Sequence, residues 1–386
     1  MKTVLIITHV SGFLLKFEVE NVKLLQELGY TVHFASNKNE IGYPFEPKEL
    51  KELGVIFHHI DIARSPYMFR MNKKALHQLI SIINEEKIEL IHCHTPVGGM
   101  LGRLAAVYPR TKIKPKVIYT AHGFHFYKGA PFINNTAYYF VERLLARCTD
   151  VLVVINEEDY RSASSMKLRK GGKVFKIPGV GLNTSVFKPV EQDIKIKLRE
   201  ENGIPKDAFL ILSVGELNQN KNHRIALLAM KKLKNRKNVY YGICGDGFYY
   251  QDIKRYVEKL NISDRVFIWG YKRNIVDYYA MADITLFPSR REGLGMAGIE
   301  SLAMGIPVLA ADNRGTREYM LENENGFVFP YDDAEGFKSG IDKMLNMSEE
   351  EMACMKAKCV ESISRFQKEY VHVVMKEIYG FVAEKN

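Results

Sequence analysis

Between Glu292 and Glu300 run seven residues, Gly-Leu-Gly-Met-Ala-Gly-Ile, all of them small or apolar. Two carboxylates set around glycines can accept hydrogen bonds from neighbouring hydroxyls of a sugar. Gly293 and Gly295 let the backbone of Leu294 and Met296 come close to such a ligand. A helix predicted from about Met296 to Met304 would add unpaired N–H groups and a partial positive charge, which suits a phosphate. The same residues also fit a plainer description: Glu292 as a solvated loop charge, Glu300 as an acid in the first turns of a helix, and Gly305 and Pro307 as an ordinary helix end. The pair alone does not choose between a ligand site and a surface.

Other stretches tip the balance. Gly215 opens a loop that reaches Lys221 at a predicted helix start, where a mobile ammonium can neutralise a diphosphate. Gly245-Asp246-Gly247 and Gly270-Tyr271-Lys272-Arg273 are two further glycine turns, each after an apolar run. Singly, each turn is unremarkable; together they put glycine openings, one lysine and two glutamates at successive strand ends. In the first half, Val10-Ser11-Gly12 follows the first apolar run, and Thr120 to Gly129, with His122, His125 and Lys128, follows another. An imidazole at position 122 can donate to a diphosphate or a hydroxyl, or carry a proton. His92-Cys93-His94 places two histidines on one face of a strand, a start for a metal site. No further ligand cluster accompanies them, so they are read as strand-end histidines beside a site, and no metal is predicted.

The elements that must hold these residues alternate. Apolar, β-prone runs at 3–7, 31–34, 55–58, 90–93, 116–120, 151–155 and 174–177 are separated by helical periodicity, as in 17–28, 74–84 and 137–147. The runs are apolar throughout, as expected of parallel strands covered on both faces. After Ile177 to Pro189, rich in Gly and Pro, the pattern restarts with runs at 209–214, 239–244, 266–269, 284–287, 308–310 and 327–329. The prediction is α/β: two doubly wound, Rossmann-like parallel-sheet domains facing across a cleft, covering 1–182 and 183–365, with a helix at 366–386 returning to the first domain. Ligands then belong beyond the carboxyl ends of the strands, where the glycines, Lys221, the glutamates and His122 lie.

Composition narrows the class. At 46% apolar and 26% charged, the chain of 386 residues reads as a soluble protein of two domains. No apolar stretch approaches the length of a membrane helix, and Met1 to Ile7 lacks a cleavage site for a secretory signal. Five dispersed cysteines without a CxxC pair suit a reducing, cytoplasmic setting. Of the net charge of +10, residues 1–185 carry +9, with 25 Lys and Arg against 16 Asp and Glu. That excess suits nucleic acid, anionic lipid or an anionic substrate.

Arg291-Glu292-Gly293 through Glu300, with Ala303-Met304-Gly305-Ile306-Pro307-Val308 behind it, resembles the EX7E signature of the retaining family 4 glycosyltransferases of GT-B fold. Gly215 to Lys221, Gly245-Asp246-Gly247, Gly270-Tyr271 and the linker around Pro178-Gly179 and Phe187-Lys188-Pro189 fall in the order that family shows. His92 to Pro96 and Ala121 to Gly129 look like the bacterial capsule and exopolysaccharide subgroup. The resemblance implies that Glu300 holds the ribose of a nucleotide sugar, that Glu292 and the backbone from Gly293 to Met296 meet the sugar and its phosphates, and that Lys221 pairs with the diphosphate. It places Tyr271, Lys272 and Arg273 by the base, and Gly12 and His122 on the acceptor side; His94, His125 and Lys128, in the same strand-end segments, are expected beside them, with His122 and Glu292 closest to the chemistry. Many members carry Arg at the position of Glu216, which cannot bind phosphate.

The expected activity is sugar transfer from a nucleotide sugar, UDP by preference, to a glycan or polyprenyl-diphosphate-linked acceptor, at an anionic membrane surface and with no cofactor. A divalent ion often serves such enzymes through an Asp-x-Asp motif, which this sequence lacks. Alternatives are a GT-B epimerase of UDP-sugars and a basic nucleic-acid binder, which leaves both glutamates and Lys221 without a role. A dinucleotide oxidoreductase would need GxGxxG after the first strand, and His9-Val10-Ser11-Gly12 does not supply it.

Overall fold

The computed structural model describes residues 2–40, 42–127, 129 and 132–384. These divide into two compact units: one comprises the described residues up to Gly181 together with those from Glu369 onward, and the other runs from Leu182 to Lys368.

In the first unit, β1 (Lys2–Val10), β2 (Tyr30–Asn37), β3 (Ile56–His59), β4 (Leu90–His94), β5 (Lys116–Ala121), β6 (Val151–Val154) and β7 (Lys173–Lys176) form one sheet in the order β3-β2-β1-β4-β5-β6-β7. All neighbours are parallel. Val4, Leu5, Ile6 and Ile7 are each wholly buried, which accounts for an unbroken apolar run where a one-faced strand would alternate. Leu79, Ile83 and Leu101 of the flanking helices close the core on Ile7, Ile91 and Val117. The helix Lys368–Ala383 joins this unit from Glu369 onward: Met375, Ile378 and Tyr379 are buried, and Phe381 packs edge-on to Phe175 with ring centroids 5.7 Å apart.

The second unit holds β8 (Phe209–Val214), β9 (Val239–Cys244), β10 (Val266–Gly270), β11 (Ile284–Phe287), β12 (Val308–Ala311) and β13 (Gly326–Phe329), parallel in the order β10-β9-β8-β11-β12-β13. The order therefore turns back between β8 and β11, the switch point at which such sheets open a crevice for ligands. Asp283, just before β11, secures that junction. Its carboxylate accepts from the Leu210 N–H of β8 at 2.7 Å, from Arg199 at 2.7 Å and from Lys195 at 2.6 Å. The two cations hold its carboxyl below the usual range against the effect of burial.

Candidate active site

The segments leaving β8 and β11 carry the residues singled out above. The turn after β8 is stitched to those of β9 and β10: the Gly215 N–H donates to the Cys244 carbonyl at 3.0 Å, and the Gly245 N–H to the Gly270 carbonyl at 2.9 Å. A Cβ on Gly245 would stand 1.8 Å from the Gly215 oxygen, so only glycine permits this packing. Beyond Gly215, Asn218 Oδ1 accepts from the Lys221 N–H at 2.9 Å and tightens the turn before the helix His223–Lys232. The loop is then fastened to the segment after β11. Asn220 donates to the Arg291 carbonyl at 2.8 Å and its own carbonyl accepts from the Arg290 N–H at 2.8 Å, while Asn222, buried and left-handed at φ 57°, donates to the carbonyls of Pro288 and Tyr331.

This fastening brings Lys221 and Glu292 together. The ammonium lies 2.8 Å from Glu292 Oε1 and 5.1 Å above the Phe287 ring, with both side chains still partly open to solvent. The helix Met296–Ala303 follows, entered through Gly295 at φ 91°. Its small residues have a packing cause: a Cβ on Gly298 would meet the Tyr319 hydroxyl at 2.2 Å, and one on Gly295 the Phe287 ring at 2.8 Å. Glu300, half-buried, accepts from the Tyr279 hydroxyl at 3.0 Å, and the same hydroxyl lies 3.0 Å from the Ala297 carbonyl. Burial, then the Glu300 charge, push the Tyr279 phenol well above its ordinary value, so it stays a donor and fixes one oxygen of Glu300. At the end of β10, Tyr271 is 63% exposed, Arg273 is exposed, and the Lys272 ammonium sits 5.3 Å from the Tyr278 ring. Glu216 is exposed.

In the first unit a histidine cluster sits at the carboxyl ends of β4 and β5. His94 Nδ1 lies 3.2 Å from His122 Nε2, the two rings stacked, and Phe13 borders both. His92 uses both nitrogens, Nδ1 with the Tyr379 hydroxyl at 3.0 Å and Nε2 with Thr120 at 2.9 Å. Glu18 reaches in between the helices Phe13–Phe17 and Val19–Glu27, 2% exposed, with Oε2 accepting from Asn21 at 2.7 Å. Its Oε1 is 3.6 Å from His94 Nδ1, too far for a hydrogen bond. Burial pushes Glu18 up to about 8 and His122 down to about 4, and holds His94 well below 6.5, so at pH 7 the contact is between neutral groups and is no ion pair. Glu18, His92 and His94 stand close enough to share a metal ion, which would have to break a hydrogen bond of His92 to bind there. Cys93 points to the other face, toward the Ile118 carbonyl.

Gly12 and His125 have local settings of their own. A Cβ on Gly12 would stand 2.3 Å from the Tyr43 carbonyl oxygen, so the loop at Tyr43 requires glycine there. His125 is exposed, its ring 5.2 Å from that of Tyr138. Lys128 lies outside the described residues.

Residues 2–156 match the family described as glycosyl transferase 4-like, and residues 194–358 match glycosyl transferases group 1. EpsD of Bacillus subtilis (strain 168) is 37% identical over 334 residues, covering 86% of this chain and 84% of EpsD. The chain is a glycosyltransferase of this family. The Escherichia coli enzyme named UDP-Gal:alpha-D-GlcNAc-diphosphoundecaprenol alpha-1,3-galactosyltransferase is 27% identical over 71% of this chain and 72% of its own length. Among solved structures, Anabaena Alr3699/HepE in complex with UDP superposes with a TM-score of 0.78 at 17% identity, over 98% of this chain and all of HepE. That likeness is one of fold, and the fold is GT-B.

For a glycosyltransferase the second unit thus gathers Gly215, Lys221, Glu292 and the helix start at Met296 around one switch point. Tyr279, which positions Glu300, and the buried acid Glu18 both escaped the sequence reading. Tyr279 gave no signal, since an aromatic on the buried side of a helix is ordinary. Glu18 did give one: Leu14, Val22 and Leu25 are buried at helical spacing about it, so an acid occupies a core position.

Proposed function

We propose that this glycosyltransferase takes a sugar from UDP and passes it, with retention of configuration and without a metal ion, to a glycan or polyprenyl-diphosphate-linked acceptor of a bacterial cell-surface polysaccharide. The observation that carries the reading is the Lys221–Glu292 pair at the β8/β11 switch point, next to Glu300 aimed by Tyr279. The UDP bound by Alr3699/HepE and the diphosphoundecaprenol in the name of the Escherichia coli relative support the donor and acceptor classes.

Transfer needs a home for a leaving diphosphate of about two negative charges. Lys221 supplies a cation, and the helix that starts at Met296 supplies N–H groups and the positive end of its dipole. A diphosphate at Lys221 competes with Glu292 for the ammonium; as the pair parts, Glu292 is freed to accept from hydroxyls of the sugar. Glu300, held by the Tyr279 hydroxyl, is the carboxylate that accepts from the ribose hydroxyls. In a retaining transfer the acceptor oxygen bonds to the anomeric carbon on the face the diphosphate leaves, and the departing phosphate oxygen takes the acceptor's proton. Neutral His122 is suited to donate to or accept from hydroxyls on the acceptor side.

A thermal-shift panel of nucleotides and nucleotide sugars tests this. UDP and one UDP-sugar raise the melting temperature of the wild type, and Glu300→Ala abolishes the rise. An undiminished UDP shift in the variant removes Glu300 from the ribose site, and a wild type indifferent to every uridine ligand refutes the donor.

A further inference from the structure

The helix Phe132–Ala146 of the first unit turns apolar side chains outward. Phe132 is 82% exposed, Ile133 80%, Phe140 61% and Leu144 45%. Positions 133, 137, 140 and 144 fall on one helical face. The inward face is already committed: Leu145 and Ala146 are buried, and Glu142 gives both oxygens to Arg103, at 2.7 and 3.2 Å. Alongside lies a second exposed apolar group, Tyr67 at 72% and Phe69 at 74%, with Tyr67 near enough to Tyr138 of the helix to help burial raise that phenol above its ordinary value. Scattered apolar residues need no explanation, but a contiguous exposed group marks a contact surface.

The charge around this group indicates what the contact is with. Residues 64–74 hold Arg64, Arg70 and Lys73, with Lys74 of the same stretch paired to Asp61 at 2.9 Å. The helix and the residue after it add Arg143 and Arg147, both exposed, while the one acid of that stretch, Glu142, is neutralised inward by Arg103. Aromatic and aliphatic tips flanked by bases, with the nearby acids Asp61 and Glu142 each paired to a cation, suit the headgroup boundary of an anionic bilayer, where apolar side chains enter the acyl region and bases meet lipid phosphates.

We infer that the outward face of the helix Phe132–Ala146, with Tyr67 and Phe69 beside it, docks this glycosyltransferase on an anionic phospholipid bilayer. The inference deepens the proposed function by naming the surface that brings the enzyme to a membrane-held acceptor, and rests on that reading only for its biological purpose. The docking itself is independent of which sugar is moved.

Vesicle flotation tests it, using phosphatidylcholine alone and an equimolar mixture with phosphatidylglycerol. The wild type floats with the mixture, stays down with neutral vesicles, and is released by high salt. Withdrawing two large apolar side chains from the acyl boundary corresponds to about a hundredfold weaker partition, so Phe132→Ser/Ile133→Ser should lose flotation to that extent with an unchanged melting temperature. Should that variant not fold, Phe140→Ser/Leu144→Ser serves in its place, and Arg143→Gln/Arg147→Gln should lose the preference for phosphatidylglycerol. Equal flotation of wild type and apolar variants overturns the inference. So does a wild type that ignores both vesicles, or one that sediments as a dimer which the substitutions dissociate without any effect on flotation. Transfer to a water-soluble acceptor is measured in parallel: intact turnover without flotation removes the docking face and leaves the reaction, while flotation without turnover on any nucleotide sugar does the reverse.

Discussion

Glu18 should make the first unit less stable as pH rises through the range in which most proteins are at their best. An acid with a native value of about 8 keeps its proton while the unfolded chain releases it from about 4.5 upward. Native and unfolded states bind that proton equally below pH 4.5. Above it the unfolded state gains about 1.4 kcal/mol per pH unit, so by pH 7 the native state has lost about 3 kcal/mol, and the loss levels off near pH 8. Glu18→Gln removes this titration and keeps an acceptor for the Asn21 amide. The variant should therefore melt higher than the wild type at pH 7, by about 6–12 °C for a unit of this size, with the gap closing toward pH 4.5. His92, His94 and His122, lowered by burial, work the other way, since the unfolded chain takes up protons below pH 6.5 that they refuse. They are common to both proteins and cancel in the difference. Calorimetry from pH 4.5 to 8 reads the effect, and fluorescence of Trp269, the single tryptophan, follows the second unit as an internal reference. Parallel pH curves for wild type and variant would falsify the account of Glu18 as a buried neutral acid.

Tyr279→Phe should weaken UDP binding about tenfold to a hundredfold, the worth of a hydrogen bond to a carboxylate, without lowering the melting temperature comparably; calorimetric titration with UDP measures it. A variant that binds UDP like the wild type would show that Glu300 needs no support. Asp283→Ala leaves Arg199 and Lys195 at the β8/β11 junction with backbone carbonyls but no counter-charge and should cost the second unit about 3–5 kcal/mol. Urea unfolding followed by Trp269 fluorescence checks this, and a midpoint within experimental error of the wild type would mean that the two cations need no counter-charge beyond carbonyls and water.

The strands of both sheets were legible because a doubly covered parallel strand needs side chains that are apolar on both faces, and that need writes itself locally, as in Val4 to Ile7. The switch point was legible in a weaker form, as glycines recurring at strand ends. What stayed hidden depends on partners far along the chain. The periodicity at 17–28 reads as one helix, while the structure breaks it at Glu18, an acid buried beside the histidines of β4 and bonded to Asn21. Gly12 reads as a ligand-facing glycine, and the Tyr43 carbonyl that a side chain there would strike is a second reason for it that the sequence does not show. The small residues between Glu292 and Glu300 likewise have a second cause in Tyr319 and Phe287, which sequence spacing could not disclose. The Lys221–Glu292 contact joins residues 71 apart and follows from the fastening of two loops by Asn220 and Asn222, asparagines that look like turn formers and nothing more.

The helix Lys368–Ala383 has a bearing on how the molecule is made. It supplies buried side chains and the Tyr379 hydroxyl to a unit whose remaining residues end at Gly181. A ribosome therefore releases nearly all of the first unit, then the whole of the second, before the helix that finishes the first emerges. During that interval the apolar surface awaiting Met375, Ile378 and Tyr379 stands open, and His92 lacks one of its two partners. The unit made first is thus the one completed last, and its apolar surface is open to aggregation in the interval.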